Sequence, residues 1–236
     1  MESVAEVMAE LKQLGNETTR KTLARHGAPE NMFGVKVGDL KKVAKKIKGQ
    51  QQLALDLYST GNSDAMYLAG IVADGSVMNK ATLQRWATNS EWYMIAEYSV
   101  PGVTCENAAA RDLAMKWISA KKQIVQTCGW TTYSGIVATQ ADQQLDLKEI
   151  RALMKTVEQT IHDAPHRVRY TMNGFVIAVG CSVAGLLKEA KRVAVRIGPV
   201  SVDMGATACK VPLATEYIDK VESMNRIGKK RKTIKC

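Results

Sequence analysis

Trp92, Tyr93 and Glu97 fall together in the segment Asn89-Ser90-Glu91-Trp92-Tyr93-Met94-Ile95-Ala96-Glu97-Tyr98-Ser99-Val100-Pro101. Helical spacing puts Tyr93 and Glu97, four apart, on one face, with Ser90 as the helix cap. An aromatic ring beside a carboxylate can receive a cation, through the ring's negative face and direct charge attraction. The plainer reading buries Trp92 in the core and leaves Glu97 to meet a lysine at the surface. A second cluster, Asp163 to Phe175, sets His166, Arg167 and Arg169 at the start of a helix, where an anion is favoured. Asn173 follows within a chargeless run, free to bond to a neighbouring element.

Positive charge is the third resource. The chain has 33 Lys and Arg against 23 Asp and Glu, a net charge of +10. Lys36 to Lys48 carries six Lys and one Asp, and Lys188, Lys191, Arg192 and Arg196 form another group. Arg226, Lys229, Lys230, Arg231, Lys232 and Lys235 follow with no acid among them. Any one cluster reads as a solvated face; four separate ones, brought to one side, would grip the phosphates of duplex DNA. No stacking motif of the ribonucleoprotein type accompanies them.

Other chemistries find little footing. GxxxxGK[ST], GxGxxG, HExxH and GxSxG are all missing from the sequence. His26, His162 and His166 are not at metal spacing with the cysteines, so neither metal nor cofactor is expected. A Cys–His nucleophile pair would need a contact that the sequence does not select. Five cysteines (Cys105, Cys128, Cys181, Cys209, Cys236) without a CxxC, and three Glu among the first ten residues, point to a reduced cytoplasmic protein, nucleoid-associated when on DNA. Tyr170 to Leu187 has no charge, yet its Gly, Ser, Thr and Asn suit a helix buried in protein better than a membrane span.

The elements that must position these residues are helices. Val37, Leu40, Val43, Ala44 and Ile47 follow helical periodicity, as do Ile150 to Ile161 and Leu213 to Val221. Gly15-Asn16, Gly49, Gly61-Asn62 and Asp74-Gly75 separate short helices; Pro101 ends one, and Pro165 and Pro212 suit the first turn of others. Gly70-Ile71-Val72-Ala73 recurs as Gly135-Ile136-Val137-Ala138, and Asn173 to Gly180 resembles both, at roughly the 40-residue period of HEAT-type helix pairs. The expected architecture is all-α: HEAT-like helix-pair repeats stacked into a curved α-α superhelix. It forms one domain over 1–236 with a basic C-terminal tail at 226–236.

On these segments the chain resembles the DNA alkylation repair (AlkD-like) HEAT-repeat family. The resemblance rests on Trp92 to Pro101, on Arg169-Tyr170-x-Met172-Asn173-x-Phe175 through Gly180, and on Val202-Asp203-Met204-Gly205. It continues through Cys209-Lys210-Val211-Pro212 and Ile227 to Lys232. It implies a groove holding duplex DNA. In active members it implies excision of cationic N3- or N7-alkylated purines, with two Trp and one Asp at the damaged nucleotide's sugar and an Arg nearby. The carboxylate would stabilise the sugar's oxocarbenium while an already good leaving group departs. Alignment keeps the first Trp at Trp92, but the Asp falls on Ala96, the Arg on Tyr133 and the second Trp on Phe175.

The expected function is therefore duplex DNA binding, with or without N-glycosylase activity; the alternative is an α-solenoid scaffold for protein partners. Glu97 is the remaining catalytic candidate. Trp92, Tyr93, Tyr133, Phe175, Asn173, Arg167 and Arg169 would line the DNA cleft. Lys36, Lys41, Lys210, Lys229, Lys230, Arg231 and Lys232 would hold phosphates.

Overall fold

The computed structural model describes residues 3–235, so the readings that touch Met1, Glu2 and Cys236 lie outside the described residues. Among the described residues there are thirteen α-helices and no strand. They gather into two compact units. One comprises the chain up to Ala109 with Met204–Ala208 and Lys235, the other Ala110–Asp203 with Cys209–Ile234.

The first unit contains α1 (Val4–Leu14), α2 (Glu17–Arg25), α3 (Val37–Lys46), α4 (Gln51–Ser59), α5 (Ser63–Val72), α6 (Lys80–Asn89) and α7 (Val100–Thr104). Helix α5 is its axis: every residue from Ser63 to Gly70 is buried. Small residues make that possible. A Cβ on Gly70 would sit 2.5 Å from the Cβ of Ser99, so only glycine permits this approach. The Asn62 side chain caps α5 by accepting from the amides of Asp64 and Ala65. Asp64, 4% exposed, accepts from the amides of Phe33, Gly34 and Val35 at 2.6, 3.0 and 3.0 Å. Three charge-assisted bonds on one buried carboxylate fix the turn before α3.

Between α6 and α7 the chain winds through a π-helical turn, Ile95–Ser99, where the amide of Val100 bonds to the carbonyl of Ile95. This corrects two expectations. Pro101 does not end the helix but sits in the first turn of α7, because its missing N–H falls where the i−4 ladder is already broken. Ser90, moreover, closes α6: it is fully buried and its hydroxyl donates to the Ala87 carbonyl at 2.8 Å.

The second unit contains α8 (Ala110–Ile118), α9 (Gln123–Thr139), α10 (Leu147–Thr160), α11 (His166–Ser182), α12 (Leu187–Ile197) and α13 (Ala214–Ser223). Helix α9 packs against both α8 and α11, and α11 against α12 and α13. The three apolar segments that looked alike in sequence are therefore the buried helices α5, α9 and α11. Charged helices flank them, and ion pairs Arg111–Glu149, Arg151–Glu189 and Glu158–Arg196 each span 38 residues. One helix pair thus advances the chain by that number, close to the expected period. Tyr217 departs from its stripe: it is 44% exposed, and Ala214 and Ile218 carry the buried face of α13. No single helix among the described residues is long and apolar enough to cross a membrane.

Candidate nucleic-acid interface

In the first unit, Trp92 is 4% exposed and its indole N–H donates to the His26 carbonyl at 2.9 Å. The Tyr93 hydroxyl meets His26 Nδ1 at 3.2 Å, and the rings of Trp92 and Tyr93 stand edge to face with centroids 5.8 Å apart. Ala96 is fully enclosed and Glu97 only 7% exposed. Trp92 thus belongs to the core, with its edge anchored to the end of α2. Lys36 and Lys41 are exposed on and before α3, whereas Lys42 and Lys46 are paired with Asp39 and Glu10.

In the second unit, Phe175 is fully buried between Trp130 and Tyr133, with ring centroids at 5.4 and 5.7 Å. Tyr133 is 2% exposed. These two rings are packing residues; they cannot line an open cleft, because each encloses the other. The Tyr133 hydroxyl donates to Glu149, whose two oxygens also receive Arg111 Nε and Nη2 at 2.7 and 2.9 Å. Arg111 reaches Asp146 as well, at 2.9 Å. Burial first, then the bond to Glu149, push the Tyr133 hydroxyl far above its ordinary pKa. Arg111 beside it holds the Glu149 carboxyl below its usual range. A phenol therefore stands where the resemblance implies a guanidinium, and the nearby guanidinium is neutralised by two acids. Arg111 and Glu149 were missed in the sequence; their 38-residue separation, one repeat, was the available signal.

Asn173 is 1% exposed and its amide donates to the Pro212 carbonyl at 2.8 Å, so it ties α11 to the entry of α13 and does not line a cleft. Arg169 is spent on backbone too, donating to Ala164 O at 2.5 Å and Ser201 O at 3.4 Å. His166 Nδ1 accepts from the Asp203 amide at 3.1 Å. The Arg167 guanidinium lies 4.4 Å over the Tyr170 ring.

The basic residues from Arg226 to Lys235 divide into two kinds of cation. The Lys230 side chain is 20% exposed and its ammonium lies 2.8 Å from the Val137 carbonyl and 2.8 Å from Asp142, and the Arg231 amide bonds to Ala138 O at 2.8 Å. These carbonyls end α9, where unpaired C=O groups and the helix dipole favour a cation. In the first unit Lys235 does the same after α5, reaching Ala73 O at 2.6 Å and Glu106 at 2.7 Å. Lys230 is therefore a helix cap and not a free phosphate ligand. Lys210, Lys229, Arg231 and Lys232 stand outside this capping arrangement, and all four residues are exposed.

Thiol chemistry gains nothing from the structure. Burial pushes the Cys105 thiol far up and that of Cys181 to about 11, leaving little thiolate at neutral pH. No group of three His, Cys, Asp or Glu among the described residues could hold a metal.

An all-helical array with a 38-residue repeat and outlying lysines is the HEAT-like class. The chain belongs to the DNA alkylation repair enzyme family, whose sequence profile matches residues 7–190. It is 31% identical over 225 residues to the uncharacterized protein Lin0241 of Listeria innocua, covering 93% of this chain and 96% of that one. Lmo0209 of Listeria monocytogenes, also uncharacterized, is 30% identical over 223 residues, with 92% and 96% covered. A solved structure is similar with a TM-score of 0.91 and 36% identity over 99% of this chain and 100% of that one. It is described as a new family of proteins related to the HEAT-like repeat DNA glycosylases with affinity for branched DNA structures.

Proposed function

We propose that this protein binds DNA, duplex and branched, through its outlying lysines and arginines, and leaves the N-glycosidic bond intact. The cations Lys36, Lys41, Lys210, Lys229, Arg231 and Lys232 supply the phosphate contacts. The similar solved structure's affinity for branched DNA supports the extension to junctions.

One observation carries the second half of the reading: the first carboxylate after Trp92, that of Glu97, is only 7% exposed, and Ala96 has none to offer. Excision requires a carboxylate against the sugar as positive charge develops there, and losing such a group costs roughly 10²–10³ in rate. Tyr133 and Phe175, both enclosed, supply neither guanidinium nor open ring.

The test pairs two assays on the same protein. Native gels with a four-way junction and a linear duplex should show shifts with both. Incubation with DNA containing 7-methylguanine, followed by alkaline cleavage at abasic sites, should show no release above the protein-free rate. Release that Glu97→Gln abolishes would overturn the non-excising reading and assign Glu97 as the catalytic carboxylate.

A further inference from the structure

In the second unit, helices α10 and α12 enclose an open trough of about 330 Å³. The buried side chains of Met154 and Val193 close its floor. Two ion pairs bridge its walls. Arg151 grips Glu189 through Nε and Nη2 at 2.9 and 3.0 Å, and Arg196 Nη1 donates to Glu158 at 2.9 Å. Between these pairs, on the same helical stripes, stand the exposed Lys155 of α10 and Arg192 of α12. No ion pair among the described residues engages either one. Four cations against two carboxylates leave the trough a surplus of two positive charges. Each paired guanidinium also keeps donors to spare, because its bonds to glutamate use only part of the fork.

The geometry points to this trough as a binding site for one phosphate monoester group, carried by a small molecule or by the end of a DNA strand. Such a group carries about −1.5 to −2 charges at neutral pH, which matches the surplus. Its terminal oxygens can accept from Lys155 and Arg192 and from the spare donors of Arg151 and Arg196. An anion there relieves the like charges that Lys155 and Arg192 bring to one space. The volume falls within the roughly 300–1,000 Å³ of small-molecule sites and leaves room for an organic substituent beside Gln159. A continuous run of phosphodiesters fits less well, because Glu189 and Glu158 stand at the two ends of the cationic middle. None of these residues belongs to the cations assigned to the DNA backbone above.

The probes are inorganic phosphate, a short single-stranded oligonucleotide bearing a 5′-phosphate, and the same oligonucleotide with a 5′-hydroxyl. Each is titrated calorimetrically at constant ionic strength. The wild type should bind inorganic phosphate saturably. Lys155→Gln combined with Arg192→Gln should weaken that binding by roughly tenfold or more, the scale of one charge-assisted hydrogen bond. Both side chains are exposed, so the double variant should keep its melting temperature. A phosphorylated strand that binds more tightly than its hydroxyl counterpart, with the gap lost in the double variant, assigns the site to strand ends. Equal affinity of the two strands, with inorganic phosphate still sensitive to the variant, assigns it to a small phosphorylated molecule. Binding of inorganic phosphate and of the 5′-phosphate that the double variant leaves unchanged would overturn the assignment, as would no binding of either. The DNA-binding reading would stand in both of those cases.

Discussion

The hydroxyl of Tyr133 donates to the carboxylate of Glu149, and the same carboxylate is clasped by two nitrogens of Arg111 at 2.7 and 2.9 Å. Where the resemblance implies an arginine there stands a phenol, and the guanidinium of Arg111 is committed to two acids. The three side chains form a joint between α8, α9 and α10.

Breaking that joint should register as stability. Tyr133→Phe removes one hydrogen bond and should cost about 1 kcal/mol in urea unfolding. Glu149→Gln strips Arg111 of its ionic partner and weakens the phenol's acceptor, for about 2 kcal/mol. The double variant should cost less than the sum, because the two changes delete the same interaction. Strict additivity would deny the coupling.

The same network sets opposite pH limits. Glu149 is depressed by Arg111, so its contribution is fully present above the ordinary value of 4.5 and fades as pH falls through the lower folded value. Tyr133 is raised, so its contribution is complete below the ordinary value of 10.0 and declines as pH climbs past it. Melting temperature should therefore drop more steeply above pH 10.0 in the wild type than in Tyr133→Phe. Parallel curves would mean that the phenol is not protected.

Asp64 makes the heaviest single demand. Asp64→Ala leaves the amides of Phe33, Gly34 and Val35 without their acceptor in a largely buried turn, and should cost about 3 kcal/mol or more. Denaturant midpoints will check this; a decrease under about 1 kcal/mol, closer to an ordinary surface change, would contradict it.

Much of this was legible beforehand. Apolar periodicity located α3 nearly to the residue and α10 to within a turn, and the repeated Gly-Ile-Val-Ala segments marked buried helices, because close packing on two sides admits only small side chains. The π turn was not legible: nothing in Ile95 to Ser99 announces an i→i+5 bond, and it displaced the reading of Pro101. Burial of Tyr133 and Phe175 was missed because aromatic type alone cannot separate a ring that lines a groove from one that fills a core. Lys230 and Lys235 looked like their neighbours in a basic run; only the carbonyls ending α9 and α5 distinguish them.

That distinction within the tail is itself testable. Replacing Lys229, Arg231 and Lys232 by Ala should flatten the dependence of log K on log salt by about 0.9 for each phosphate no longer neutralised. Lys230→Gln should leave that slope alone and lower the melting temperature instead. The reverse pattern would exchange their roles.

The central claim is that outlying cations hold DNA by its phosphates. Its most direct test is the affinity for a four-way junction measured across a salt series. The account predicts a linear fall of log K with log salt, with a slope reflecting several phosphates at about −0.9 each. A flat response, or no complex at the lowest salt, would contradict it.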